Sequence, residues 1–116
     1  MDQSLIARTW HGRTAAIKAD EYLKFLIERA IPDYQSIAGN CGVTILRRIR
    51  DEEAHFLILT LWESREAIEA FAGADIEQAK YYAEDRVFLL EFEPTVTHYE
   101  VCAAVAPLDQ DERQKR

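Results

Sequence analysis

The sequence predicts a small α+β domain built on an antiparallel sheet, and three observations carry that prediction. Apolar residues recur with period two in four stretches and with a three-to-four-residue period between them. The stretches follow the order strand, helix, strand, strand, helix, strand. One of the strands is apolar on both faces. A chain of 116 residues suits one core and is short for two.

The first strand is read from Ser4 to Arg13, with Leu5, Ala7 and Thr9 on one side and Ile6, Arg8 and Trp10 on the other. From Ile17 to Ile37, Ala19, Leu23, Leu26, Ala30, Tyr34 and Ile37 form one face of an amphipathic helix. Pro32 is expected to kink or restart it, because proline lacks an amide donor and clashes with the preceding turn. Gly39, Asn40 and Gly42 then end the helix. Strands at Cys41 to Arg50 and Ala54 to Trp62 flank Asp51-Glu52-Glu53, a short acidic hairpin turn. Ser64 is an N-cap for a helix that turns Ala67, Ile68 and Phe71 inward. Asp75 and Gln78 have the spacing of a capping box for a further short helix through Tyr82. Glu84 to Glu93 reads equally as a buried turn, a helical turn or an extended run. After Pro94, Thr95 to Val105 alternates as a last strand. The domain is taken as residues 1–105, and the polar stretch 106–116 as a C-terminal tail.

This order is the split βαβ, or ferredoxin-like, β-α-β-β-α-β arrangement, with strand order 4-1-3-2. Cys41 and Cys102 then fall on opposite edge strands, where geometry disfavours a disulfide. Without a CxxC pair, both are expected to be buried structural thiols. On the third strand Phe56, Ile58, Thr60 and Trp62 share one face, and Leu57, Leu59 and Leu61 the other. The second strand repeats this more weakly, with Val43, Ile45 and Ile49 opposite Leu46. A sheet with helices on one side normally shows polar residues on its free side. Two apolar faces require two covers, and a second copy of the chain is the expected one. The alternative is that residues 84–94 fold over the second face of a monomer.

The formal net charge of −7 argues against nucleic acid as a partner, since an acidic surface repels phosphate backbones. No apolar run approaches the roughly 20 residues of a membrane-spanning helix. Met1-Asp2-Gln3-Ser4 lacks the start of a signal peptide, so a cytoplasmic location is expected.

The run Leu59-Thr60-Leu61-Trp62-Glu63-Ser64, followed by Ala67-Ile68 and Phe71, resembles the third strand and second helix of antibiotic biosynthesis monooxygenase domains. Pro94-Thr95-Val96-Thr97-His98-Tyr99-Glu100-Val101 resembles that family's last strand, and the likeness spans roughly residues 4 to 103. The resemblance implies a dimeric α/β barrel, in which two sheets pack face to face and each subunit has a pocket between sheet and helices. It also implies a small aromatic or quinone-like substrate, oxidised by molecular oxygen without a bound cofactor. A haem-degrading branch pairs a helix tryptophan with a histidine ten residues later and has an asparagine on the first strand. The matching positions here hold Phe71 and Tyr81, and Leu5 to Arg13 contains no asparagine. A tyrosine can ligate haem iron.

Cofactor-free oxygenation needs an acidic phenol or enol, a group to take its proton and a dry pocket. His98 and His11 are the candidate bases, because histidine titrates near neutrality, and Arg8 is the candidate stabiliser of the oxyanion. Trp10, Trp62, Phe71, Tyr81, Tyr82 and Tyr99 are the candidate substrate-binding residues. Each also has an ordinary role: tryptophans pack cores, and strand histidines hydrogen-bond within sheets. A non-catalytic ligand-binding or regulatory homodimer would use the same pocket, as would a haem-binding relative. Arg47, Arg48 and Arg50 read as a solvated strand edge. No metal site is expected, since the three histidines lack ligand spacing, and no phosphate loop or nucleophile elbow is present.

Overall fold

The computed structural model describes residues 4–105. Strand β1 runs Ile6–Ala15, β2 Asn40–Arg50, β3 Glu53–Trp62 and β4 Thr97–Glu100. Helices are α1 Ala19–Phe25, α2 Ile31–Gln35, α3 Arg65–Ala72 and α4 Asp85–Phe88. All pairings are antiparallel, in the order β2-β3-β1-β4, which is the ferredoxin-like order the sequence predicts. The polar tail at 106–116 lies outside the described residues.

Alternation assigns the faces. Arg8, Trp10, Gly12 and Thr14 of β1 share the helix-covered inner face with Ala54, Phe56, Ile58, Thr60 and Trp62 of β3, and these positions are buried. Thr9, His11 and Arg13 share the outer face with His55, Leu57, Leu59 and Leu61, all partly exposed. Residues 84–94 leave the leucines of that outer face uncovered and reach it only at its margin, where Glu91 and Glu93 meet Arg13 and His11. They belong to a connection from 73 to 96, here the strap, which meets the edge of β1: Leu90 N–H donates to Arg13 O at 2.9 Å and Leu89 bridges Thr14. The leucine row is therefore uncovered in a single chain.

The helical run after β1 is continuous but uneven. A turn at Ala16–Lys18 leads into α1, and a π-helical turn at Leu26–Ala30 separates α1 from α2. The wide turn places Pro32 in the first turn of α2, where its missing amide costs least. The buried positions become Ala19, Tyr22, Leu26, Ala30 and Tyr34, so Tyr22 takes the core place the sequence assigns to Leu23. Ser64 caps α3 as expected, its Oγ accepting from Ala67 N–H at 3.1 Å.

Three expectations are corrected. No helix forms at 75–82: the Asp75 carboxylate accepts from Glu77 N–H at 3.2 Å, closing a local turn that competes with helix formation. The chain then pairs in extended form with 94–96, through Ala79 N–H to Pro94 O and Val96 N–H to Glu77 O, both 2.9 Å. The last strand shrinks to Thr97–Glu100, because Thr95 pairs with Gln78 and β1 starts at Ile6, opposite Glu100. Cys41 and Cys102 are exposed free thiols and not buried ones. Cys41 sits at a bulge on edge strand β2, and Cys102 lies past the end of β4.

Candidate functional site

The space between the inner sheet face and the helices is the candidate site. Trp10, Tyr22, Leu26, Ala30, Tyr34, Ile58, Lys80, Tyr82 and Asp85 wall a void of about 10 Å³, room for about one water molecule. The layer continues past Tyr34 to Phe71, stacked with ring centroids 4.6 Å apart, and to Trp62 at 5.7 Å from Phe71. Trp62 is fully buried and donates from Nε1 to Thr60 Oγ1 at 2.8 Å. Its polar handle is thereby satisfied within the sheet.

Arg8 is the buried cation of this layer, 1% exposed. Its Nη2 donates to Gln78 O at 3.0 Å, and its guanidinium carbon lies 5.5 Å from the Phe71 ring centre. Nε has no partner among the described residues. Burial lowers its pKa from the ordinary 12.5, with Tyr34 opposing the shift. His98 faces Arg8 directly across the β1–β4 ladder, and its Nε2 is buried without a partner. Burial, followed by the Arg8 charge, lowers the His98 pKa from 6.5 and so favours the neutral ring.

The strap supplies the outer wall. Tyr82 Oη donates to Asp33 Oδ2, and Lys80 Nζ lies 3.3 Å from the same oxygen and 4.3 Å from the Phe71 ring centre. Burial alone would raise the Asp33 pKa, yet the bonds from Tyr82 and Lys80 hold it below 3.8. Tyr81 Oη donates to Glu93 O, and its ring meets Trp10 edge-on at 6.0 Å. Burial, with the Glu93 charge, pushes the Tyr81 phenol up to about 12. Trp10 Nε1 is also buried without a partner.

Two candidates are not part of this site. His11 and Tyr99 lie on the outer face, Tyr99 opposite Ala7 and 57% exposed. His11 joins a chain across that face: Glu93 Oε2 at 2.5 Å from its Nδ1, and His55 Nδ1 at 3.1 Å from its Nε2. These histidines border a surface hollow of about 430 Å³ with Leu46, Arg48, Arg50 and Leu57. It is much larger than the inner void, but it is an open dent in the face that lacks a cover. Arg8, Trp10, Trp62, Phe71, Tyr82 and His98 share the inner layer, and Tyr81 closes its edge.

Sequence reasoning missed Tyr22, Asp33, Lys80 and Asp85. Tyr22 and Asp33 read as ordinary helix residues, each one position from an apolar residue of the predicted stripe. Asp85 carries no sequence signal of its own, because Glu84 and Arg86 flank it and the three read as one charged turn before Val87-Phe88-Leu89.

A family profile described as antibiotic biosynthesis monooxygenase matches residues 13–79, more than half of the chain. No curated protein sequence gives a significant match. Among solved structures, a protein of unknown function from Nitrosomonas europaea aligns with TM-score 0.63 and 17% identity, over 92% of this chain and 98% of its own. An antibiotic biosynthesis monooxygenase candidate from the same organism aligns with TM-score 0.61 and 14% identity, over 91% and 97%. At these identities the likeness is one of fold. The haem degrader MhuD of Mycobacterium tuberculosis, solved with two haems in its active site, aligns with TM-score 0.58 and 26% identity, over 87% and 99%.

Proposed function

The chain belongs to the antibiotic biosynthesis monooxygenase family, and from that premise we propose that it oxidises a small acidic aromatic compound held between the sheet and its helices. The observation that carries this reading is Arg8, buried in the aromatic layer, facing half-buried His98, whose Nε2 is buried without a partner, across the β1–β4 ladder. A phenol or enol placed there loses its proton to neutral His98 Nε2, and the oxyanion is held by the Arg8 guanidinium. Low dielectric around Arg8 strengthens that attraction. Molecular oxygen is the co-substrate. An activated CH₂ beside the ring becomes a carbonyl, one oxygen atom enters the product and the other leaves as water. The substrate itself supplies both hydrogens and the electrons, so the reading calls on no bound cofactor.

Trp10, Phe71 and Trp62 form the apolar walls, and Tyr81 and Tyr82 hold the strap in place over them. A void of about 10 Å³ admits no substrate as it stands. Access therefore requires the strap to lift, and its tethers on Asp33 are the bonds that must yield. The uncovered leucines of β3 support a homodimer formed through the outer sheet faces. No helix among the described residues is long and apolar enough to cross a membrane.

The likeness to MhuD raises haem as a second ligand. The residues present do not fit it. The Tyr81 phenol, the one candidate ligand at the matching position, is bonded to Glu93 O and held protonated. No step is assigned to haem, and a flat spectrum in the Soret region on haem titration is expected.

The test is aerobic incubation with a panel of phenols, quinols and anthrones, following oxygen uptake. Turnover that falls at least tenfold in Arg8→Gln and in His98→Gln is expected. Binding without turnover, unchanged by His98→Gln, would favour a ligand-binding module instead.

A further inference from the structure

The outer sheet face carries more than a leucine row. Cross-strand register sets Leu46, Arg48 and Arg50 of β2 beside Leu57, His55 and Glu53 of β3, so all six lie on that face. At the opposite edge the strap runs along β1 and turns Glu91 and Glu93 onto the same face, where they bond Arg13 and His11. The face is apolar at one end, where Leu57, Leu59 and Leu61 stand, and charged at the other. Across the charged end the sign changes from edge to edge, acidic on the strap and basic on β2.

Both edges have binding capacity to spare. Arg48 and Arg50 are exposed, and neither forms an ion pair with the described residues. Glu91 gives Oε1 to Arg13 and Glu93 gives Oε2 to His11, while the second oxygen of each has no bond from the described residues. Arg13 pairs with His55 and His55 with Arg48 across the ladders, so Glu91, Arg13, His55 and Arg48 stand on one level.

Two copies that close face to face share a two-fold axis lying between their sheets. An axis across the strands turns one sheet end for end and lays each copy's charges on the other's leucines, where an unpaired charge is costly. An axis parallel to the strands keeps like ends together and exchanges the edges. Leucines then meet leucines, and β2 of each copy lies over the strap and β4 of the other. Arg48 arrives at the level of the second copy's Glu91, with Arg50 further along the same edge.

We infer that the outer face is self-complementary about an axis parallel to its strands, with Arg48 and Arg50 of each copy binding Glu91 and Glu93 of the other. This rests on the reading of the leucine row as a dimer surface and adds the pairing and its consequence. The hollow of about 430 Å³ beside Arg48 and Arg50 becomes the seat of the second copy's acidic edge. Glu91 and Glu93 belong to the strap, so each copy holds the strap closed over the other's inner cavity.

The test is complementation between two charge reversals, followed by sedimentation, with folding checked by circular dichroism. Arg48→Glu and Glu91→Lys each set like charges against each other twice, so each alone should dissociate at least about tenfold more readily than the wild type. Mixed in equal amounts, they restore both pairs in a dimer of one chain of each, and the dimer is expected to return. Folded variants that fail to complement would overturn the inference. A second measurement needs no charge variant: Cys41 on β2 and Cys102, two positions past Glu100, are exposed thiols at the same end of opposite edges. A short bis-maleimide should join Cys41 of one wild-type copy to Cys102 of the other in a dimer-sized product, identified by mass spectrometry. Cys41 joined to Cys41 would overturn the inference and leave the dimer reading standing. A wild type that sediments as a monomer removes both. Arg48→Gln combined with Arg50→Gln, at concentrations where it stays dimeric, should admit a fluorescent aromatic probe several-fold faster; an unchanged rate would refute the hold on the strap.

Discussion

Gly12→Ala should destabilise the protein and disturb the candidate site through a single methyl group. Gly12 lies on the inner face of β1, where the strap crosses closest to the sheet. A Cβ there would stand 2.4 Å from Trp10 Cη2, 3.0 Å from Cζ2 and 3.1 Å from Leu89 Cδ2. Carbon atoms settle about 3.5 to 4.0 Å apart, so the indole must retreat by about 1 Å. It has little room to do so, being 4% exposed and braced edge-on by Tyr81, with only the small inner void beside it. Overpacking of this kind costs about 1–3 kcal/mol. Removing a glycine from a strand returns about 0.5–1 kcal/mol. The net loss is then about 0.5–2 kcal/mol, or a fall of several degrees in Tm. Urea unfolding followed by circular dichroism and tryptophan fluorescence measures it. Gly42→Ala is the control, because its Cβ would meet nothing nearer than Leu61 Cδ1 at 3.8 Å. Equal stability of the two variants, with an unshifted emission spectrum in Gly12→Ala, would refute the steric argument.

Asp33→Ala removes the acceptor for Tyr82 and Lys80, so a fluorescent aromatic probe should enter the cavity at least several-fold faster in stopped flow. The folded-state pKa of Asp33 lies below its unfolded value of 3.8, so its stabilisation is present above about pH 4 and lost as pH falls through the folded pKa. Acid unfolding of the wild type, compared with Asp33→Ala, should show that limb disappear. His98 has the same sense for the opposite charge: its folded pKa is lowered, so stability is lost as pH falls below 6.5 toward the folded value. His98→Gln should flatten the stability profile over that window, as read by Tm against pH. Leu59→Lys places a charge in the uncovered leucine row, and sedimentation should show a smaller species than the wild type while circular dichroism stays unchanged.

Much of the fold is legible because strand alternation is strict where each face has its own neighbour. Phe56, Ile58 and Trp62 against Leu57, Leu59 and Leu61 are read correctly by counting in twos, and the register with β1 follows. The helix after β1 is legible as an element but its stripe is not. Tyr22 and Leu23 stand four and three residues before Leu26, so both spacings suit one helix face, and packing buries Tyr22 and leaves Leu23 at its margin. The 75–82 segment fails for a related reason. The side chain of Asp75 satisfies a turn as readily as a helix start, and pairing with 94–96 decides between them. Within the site, Arg8 and Trp10 follow from the face of β1. His11 lies one residue from Trp10 in sequence and on the other side of the sheet in space, so proximity along a strand misleads where parity does not.

The inner layer holds two buried charged groups that water would solvate better, Arg8 and Asp85. Replacing such groups by apolar residues of similar volume is often neutral or stabilising in other proteins. Packing alone does not account for them, and each lies at the aromatic layer or on the wall of its void. For Arg8 the bond that offsets burial comes from the strap, through Gln78 O; Asp85 rides on the strap with its bond from Tyr82 N–H and meets the helical layer through Tyr22 Oη. The same strap must lift for a substrate to reach Arg8. Opening the cavity therefore exposes Arg8 and removes the acceptor that stabilised it while the cavity was closed. A substrate with an ionised oxygen would give Arg8 a replacement acceptor while the strap is lifted, which an apolar molecule of the same size cannot do.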